Sequence, residues 1–288
     1  MALVTNISQW IEENKSSFVP PVCNKLMHGK GQLKIMFIGG PNQRKDFHID
    51  EGEEFFYQKK GDMVLKVVEK GVHKDVVIKE GEVFLLPSCI PHSPQRYEGT
   101  VGFVMERERT EDETDGLRYY VDGTTDVLWE EWFHCYDLGT QLGPVIKKFF
   151  ASDEYKTGHP PEGKVFPPPP VKLDVTTSVM KPFNLNEWIR DNEQEINSKG
   201  NKMLFDWDGE FKYCVWGSNT KQEGQNQGET FLWQLKGEAT VTTDKGTVSM
   251  GPDSCVLLGA GEKYSVSIAS DGIGITVTTD PLANKRKS

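Results

Sequence analysis

Gly40-Pro41-Asn42-Gln43-Arg44-Lys45-Asp46-Phe47-His48-Ile49-Asp50-Glu51-Gly52-Glu53-Glu54-Phe55-Phe56-Tyr57-Gln58-Lys59-Lys60-Gly61, followed by Gly81-Glu82-Val83-Phe84-Leu85-Leu86-Pro87-Ser88-Cys89-Ile90-Pro91-His92-Ser93-Pro94-Gln95-Arg96, is the stretch whose reading decides the fold. Each piece opens on a glycine, carries a short apolar run, and sets a histidine at a characteristic distance from that glycine. The chain has only six histidines. A lone histidine in such a setting is more often a satisfied core or surface residue. His48 and His92, in two ordered blocks with Glu53-Glu54 beside them, form a candidate metal-binding set instead. Two imidazoles and one carboxylate can hold iron(II) while leaving coordination positions open.

Working outward, the chain repeats itself. Asn6-Ile7-Ser8-Gln9-Trp10-Ile11 lines up with Asn184-Leu185-Asn186-Glu187-Trp188-Ile189, each a capping residue ahead of an amphipathic helical segment. Gly52-Glu53-Glu54-Phe55-Phe56-Tyr57-Gln58 matches Gly228-Glu229-Thr230-Phe231-Leu232-Trp233-Gln234 without a gap, and Phe84-Leu85-Leu86-Pro87 matches Val256-Leu257-Leu258-Gly259. Three blocks in the same order read as a duplicated unit.

Within each unit the pattern is β. Met63-Val64-Leu65-Lys66-Val67-Val68, Val76-Val77-Ile78 and Val101-Gly102-Phe103-Val104-Met105 are short strand-like runs between turn residues, and Ala239 to Thr243 and Gly274 to Thr279 repeat them. Such spacing predicts a mainly β chain of two sandwiches or jelly-roll barrels with flanking and linking helices. Leu128-Trp129-Glu130-Glu131-Trp132 and Val145-Ile146-Lys147-Lys148-Phe149 read as the linking helices. The expected organisation is an N-terminal metal-bearing unit over 1–160, a Pro-rich linker over 161–177 with Pro167 to Pro170, and a metal-free unit over 178–288.

The repeat also separates the two glutamates. In the second unit His48 aligns near Gly224, Glu54 with Thr230 and His92 with Tyr264, whereas Glu53 is retained as Glu229. A residue kept where the other ligands are lost reads as structural, so Glu54 is the expected ligand. Asp46 reads as a group behind the ligands, with a fourth-ligand role as the alternative.

Two arginines sit at even spacing from the histidines, Arg44 from His48 and Arg96 from His92. If these segments are strands, each arginine shares a face with its histidine. The bland reading is a pair of solvated arginines near the barrel mouth. With only seven arginines in the chain, the sharper reading is a carboxylate-binding pair beside the metal.

Bulk composition sets limits. The formal net charge of -10 argues against nucleic acid as a general partner, and the tail Lys285-Arg286-Lys287 reads as a solvated terminus. No apolar run approaches the ~18 residues that span a bilayer, and no secretory signal is visible. Five scattered cysteines without a C-x-x-C pair suit reduced thiols, and so a cytosolic chain.

The histidine blocks resemble the two motifs of the cupin class, with Asp46 where that pattern has its first histidine and Arg96 where it has an asparagine. More closely, Pro20 to Met27, Phe37 to Asn42, Arg44 to His48, Gly52 to Gln58, Leu85 to Arg96, Asp115 to Tyr120 and Asp137 to Thr140 resemble the 3-hydroxyanthranilate 3,4-dioxygenase family, in its animal-type, two-cupin form. The resemblance covers essentially the whole chain. It implies Fe(2+) held by His48, Glu54 and His92, a substrate carboxylate bound by Arg44 and Arg96, and Glu106 at the substrate's amino or hydroxyl edge as proton acceptor. Glu54 would also meet the substrate, and Asn24 would reach the pocket from the N-terminal loop. The implied reactants are 3-hydroxyanthranilate and O2, in a monomeric enzyme of the quinolinate and NAD route. No second, four-cysteine iron site is expected. The rival expectations are another metal-dependent cupin dioxygenase or isomerase acting on a small aromatic acid, and a binding cupin without catalysis.

Overall fold

Residues 4–20, 23–206 and 208–279 are described by a computed structural model. The basic tail, with Pro21 and Val22 of the matched N-terminal block, lies outside them. The chain divides into two compact units, one of residues 18–24 and 36–184, the other of 1–17, 25–35 and 185–288.

In the first unit, one sheet runs in the order Phe183–Asn184, Glu82–Leu86, Glu54–Lys60, Val101–Arg107 and residues 36–39 of the strand Leu33–Gly39. A second runs Val127–Phe133, Asp115–Tyr120, Phe47–Ile49, His92–Arg96, Met63–Glu69, Val72–Ile78, with Asn42–Gln43 also paired to His92–Arg96. Alternation directs side chains inward: Met63, Leu65 and Val67 are buried and the intervening Val64 and Lys66 are not. With Phe56, Val76, Ile78, Phe84, Leu86, Ile90 and Val104 they form one apolar cluster. Each such side chain contributes roughly 1.5–3 kcal/mol on burial.

The second unit is built on the same plan. Thr5–Asn6, Ser254–Leu258, Thr230–Lys236, Ile273–Thr279, Phe211–Trp216 and Asn201–Met203 make one sheet, and Lys221–Gln225, Lys263–Ile268, Ala239–Thr243 and Gly246–Met250 the other. The duplication extends to register. Glu54 pairs with Leu86 as Thr230 pairs with Leu258, and Phe55 with Met105 as Phe231 pairs with Val277. Both central pairs slip register at the same place, after Gln58 and after Gln234. The turn that follows needs a left-handed residue in both halves and has glycine, Gly61 and Gly237, at φ 65° and 61°.

One sequence expectation fails. Leu128 to Trp132 is not helical: Val127–Phe133 is a strand antiparallel to Asp115–Tyr120. Its helix-forming leucine and glutamates are overridden by tertiary pairing, with Arg118 Nε donating to Glu130 Oε2 at 2.8 Å. The other linking helix forms as Leu138–Ala151, capped by Asp137, whose side chain accepts from the Gly139 N–H. It packs Val145 and Phe149 on Leu117, Tyr119 and Leu128. The Pro-rich stretch carries no helix or strand and is pinned to the first unit where the Asp174 N–H donates to the Cys89 carbonyl at 3.0 Å and the Val179 N–H to Glu69 Oε2 at 2.9 Å.

Candidate metal centre

His48 and His92 are direct cross-strand partners, on Phe47–Ile49 and His92–Arg96, with ring centroids 5.3 Å apart. Glu54 starts the strand Glu54–Lys60 of the opposite sheet. Its Oε1 lies 3.2 Å from His92 Nε2 and 3.8 Å from His48 Nδ1. Asp50 completes a buried group of four whose ligand atoms all lie within 4.8 Å of one another. Asp46 is not in that group; it accepts from Arg44 instead.

The outward ring nitrogens are both held. His48 Nε2 lies 2.7 Å from Asp115 Oδ2, and His92 Nδ1 lies 3.1 Å from the Ile90 carbonyl. Both partners can only accept, so each bond places a ring proton on the outer nitrogen and makes the inner nitrogen the one turned toward a cation. Three of these donors, converging at 3–4 Å in a buried site, fit a divalent metal.

The electrostatics are those of an incomplete charge set. Burial would raise Glu54, but His92 and His48 hold it well below the usual carboxylate range. Burial would lower His48, yet its hydrogen bonds to Asp115 and Glu54 push it up to about 10. Burial raises Asp50 to about 7 against the pull of Arg109. A bound cation would relieve this crowding of carboxylates.

Arg96 lies on the strand of His92, and its side chain is among the most completely buried in the chain. Nη1 donates to Gln58 Oε1 at 2.9 Å, while Nε and Nη2 have no hydrogen-bond partner among the described residues. Burial, opposed by the charge of Glu54, lowers it to about 10, so it stays charged at neutral pH. A buried guanidinium with two idle donors is matched to a carboxylate that arrives from outside. Gly102 makes room for it: a Cβ there would lie 2.2 Å from Arg96 Nη1 and 2.4 Å from Gln58 Oε1.

Arg44 is placed differently. It falls in the bend between Asn42–Gln43 and Phe47–Ile49, outside strand alternation, and its Nε donates to Asp46 Oδ1 at 3.1 Å. Burial would lower its pKa, but Asp46, and to a smaller degree Tyr119 and Glu54, raise it. Glu106 is buried, and burial raises its carboxyl, with Arg109 opposing and Glu54 adding to the rise. Asn24 is exposed at the start of Asn24–His28, and no hydrogen bond among the described residues ties it to the cluster. Burial raises Cys23, and burial with Asp50 and Glu51 pushes Cys89 up to about 12, so both stay thiols at neutral pH.

Three participants escaped the sequence reading. Asp50 carried the signal of a His-x-Asp spacing on one strand face; Asp115 stood in a matched block without a role; Arg109 carried none.

In the second unit the equivalent positions are filled by protein. Gly224 pairs with Tyr264 in the register of His48 with His92. Asn226 Nδ2 donates to Thr230 Oγ1 at 2.7 Å and to the Tyr264 hydroxyl at 2.9 Å. Glu229, the counterpart of Glu53, accepts from the Leu33 N–H at 2.9 Å, a structural task.

Two jelly-roll units, the first with a buried His–carboxylate group that can hold a metal, define a metal-binding cupin. Solved structures share the fold: a salicylate 1,2-dioxygenase from Pseudaminobacter salicylatoxidans, with TM-score 0.60 and 10% identity, covering 100% of this chain and 86% of that one, and a cupin 2 conserved barrel domain protein from Leptotrichia buccalis, with TM-score 0.51 and 9% identity, covering 97% of each. The chain belongs to the 3-hydroxyanthranilic acid dioxygenase family, whose model matches residues 1–150. The 3-hydroxyanthranilate 3,4-dioxygenase of Nematostella vectensis is 52% identical over 277 residues, 96% of this chain and 99% of the relative. It is an oxidoreductase of the dioxygenase type.

Proposed function

We propose that this chain opens the ring of 3-hydroxyanthranilate with O2 at one iron(II) held by His48, Glu54 and His92, giving 2-amino-3-carboxymuconate semialdehyde, the precursor of quinolinate. The observation that carries the substrate class is Arg96, buried beside the donor group with Nε and Nη2 idle. Held by His48, Glu54 and His92, iron(II) would supply open coordination positions and the redox capacity that O2 chemistry needs.

The protein's own part is charge, geometry and proton handling. Arg96 pairs with the substrate carboxylate and so fixes the ring's orientation. Arg44, braced by Asp46, adds a second positive charge at the same end. Glu106, its carboxyl raised by burial, takes the hydroxyl proton as the substrate binds. The overall change adds O2 and nothing else, so Glu106 can return that proton to the ring-opened product. Burial of His48, Glu54, His92 and Arg96 keeps water from the reacting edge.

The enzyme acts as a monomer in the cytosol. Among the described residues no helix is long and apolar enough to cross a membrane, and the five cysteines are free, which suits a reducing compartment. Turnover under 18O2, followed by mass spectrometry of the product, tests the reaction. One labelled oxygen retained in the new carboxylate is expected, with a second in the aldehyde when the product is trapped before that oxygen exchanges with water; no label in the carboxylate would overturn ring opening by dioxygenation.

A further inference from the structure

One side chain joins the metal-facing and substrate-facing parts of the site. Arg109 follows the strand Val101–Arg107, and its side chain is 7% exposed. Nη1 donates to Glu106 Oε2 at 2.7 Å. Nε and Nη2 donate to the two oxygens of Asp115, at 3.1 and 2.9 Å, and Nη2 also reaches Asp50 Oδ2 at 3.2 Å. Asp115 is the residue that orients His48. Arg107 pairs with Glu113 and Arg118 with Glu130.

We propose that Arg109 is a positioning residue with two outputs: it sets His48 through Asp115, and it sets Glu106 directly. Metal affinity and the proton step then share one support. The inference rests on the site reading given above. Its physical basis is the planar guanidinium, whose three nitrogens hold carboxylates on separate segments in fixed directions. A lysine in its place supplies the charge without the fork. Removing the cation leaves Glu106, Asp115 and Asp50 to repel one another, and each rotates away from the group it serves.

Two coupled cycles test this. The first is iron(II) affinity, measured anaerobically by chelator competition on Arg109→Gln, Asp115→Asn and the double variant. Arg109→Gln and Asp115→Asn should each loosen iron on the order of tenfold, and the double variant no more than Asp115→Asn alone. The second is kcat at saturating iron with Arg109→Gln, Glu106→Gln and their double variant. Both singles should lower kcat, with KM for 3-hydroxyanthranilate moving less than about threefold, and the double should match Glu106→Gln. A merely structural arginine would instead give losses that multiply in both cycles. That result, or unchanged iron affinity in folded Arg109→Gln, overturns the proposal. If Arg109→Gln does not fold, Arg109→Lys enters the same cycles. If iron-loaded wild type consumes no O2 with 3-hydroxyanthranilate, the activity reading fails, while the affinity cycle still decides the role of Arg109.

Discussion

His48 donates from Nε2 to Asp115 across 2.7 Å, and this bond decides that Nδ1 is the atom turned toward Glu54. The same carboxylate makes a metal-free His48 hold its proton. Burial lowers the imidazole, but Asp115 and Glu54 outweigh it and raise the ring to about 10. A metal ion must displace that proton before Nδ1 can bind it.

Apparent iron(II) affinity should therefore rise with pH, by up to about tenfold per unit below the folded value, with about one proton released per ion. Anaerobic titrations at about pH 6.5 and about pH 8 check this; equal affinities would contradict it. The sign for stability is opposite. The folded value lies above the unfolded one of about 6.5. In metal-free protein the pair's contribution is therefore complete below that pH and lost as pH rises toward about 10.

Arg96 gives up stability for binding. Its unpaired Nε and Nη2 cost roughly 1–3 kcal/mol each while buried. Arg96→Met, of similar length and without charge, should raise KM for 3-hydroxyanthranilate at least about tenfold without lowering Tm. Gln58 Oε1 would lose its partner, but Gln234 Oε1 is already unpartnered in the second unit, so the fold tolerates that state. Steady-state kinetics with thermal melts measure both.

Gly102→Ala tests the same seat from the backbone side. The added Cβ would collide with the Arg96–Gln58 pair. The expected result is a folded protein with raised KM and iron affinity within about twofold of wild type, since no ligand touches Gly102. A loss of iron with unchanged KM would show that the two subsites are not separable.

Tyr264 stands at the position of His92 in the second unit, and its hydroxyl accepts from Asn226. Tyr264→Phe should cost about 1 kcal/mol of stability and leave both turnover and one iron per chain unchanged. Metal analysis and denaturant melts measure this; a second iron in wild-type protein would contradict it.

What was legible in the sequence follows from what is local. His48, His92 and Arg96 lie on strands, and alternation with fixed spacing places them. Duplication argued for Glu54 over Glu53: Glu54 and His92 have Thr230 and Tyr264 as counterparts, while Glu229, the counterpart of Glu53, keeps a structural bond, and Glu54 is the one in the donor group. Arg44 and Asp46 were less legible, since they sit in a bend where periodicity carries no direction. Asp50 was as close in sequence to His48 as Asp46, and only the end of the strand turns one toward the donor group and the other toward Arg44. Asp115 and Arg109 meet the cluster through sheet pairing and a tertiary bend, and nothing in their spacing announces it. Trp129-Glu130-Glu131-Trp132 misled for the same reason: pairing with Asp115–Tyr120 outweighs helix propensity.

The most direct test of the central claim is oxygen consumption by iron(II)-loaded protein given 3-hydroxyanthranilate, with product absorbance followed in parallel. One O2 consumed per product formed, abolished in His48→Ala and His92→Ala, is the predicted result. No uptake by folded protein whose iron content has been verified would contradict it.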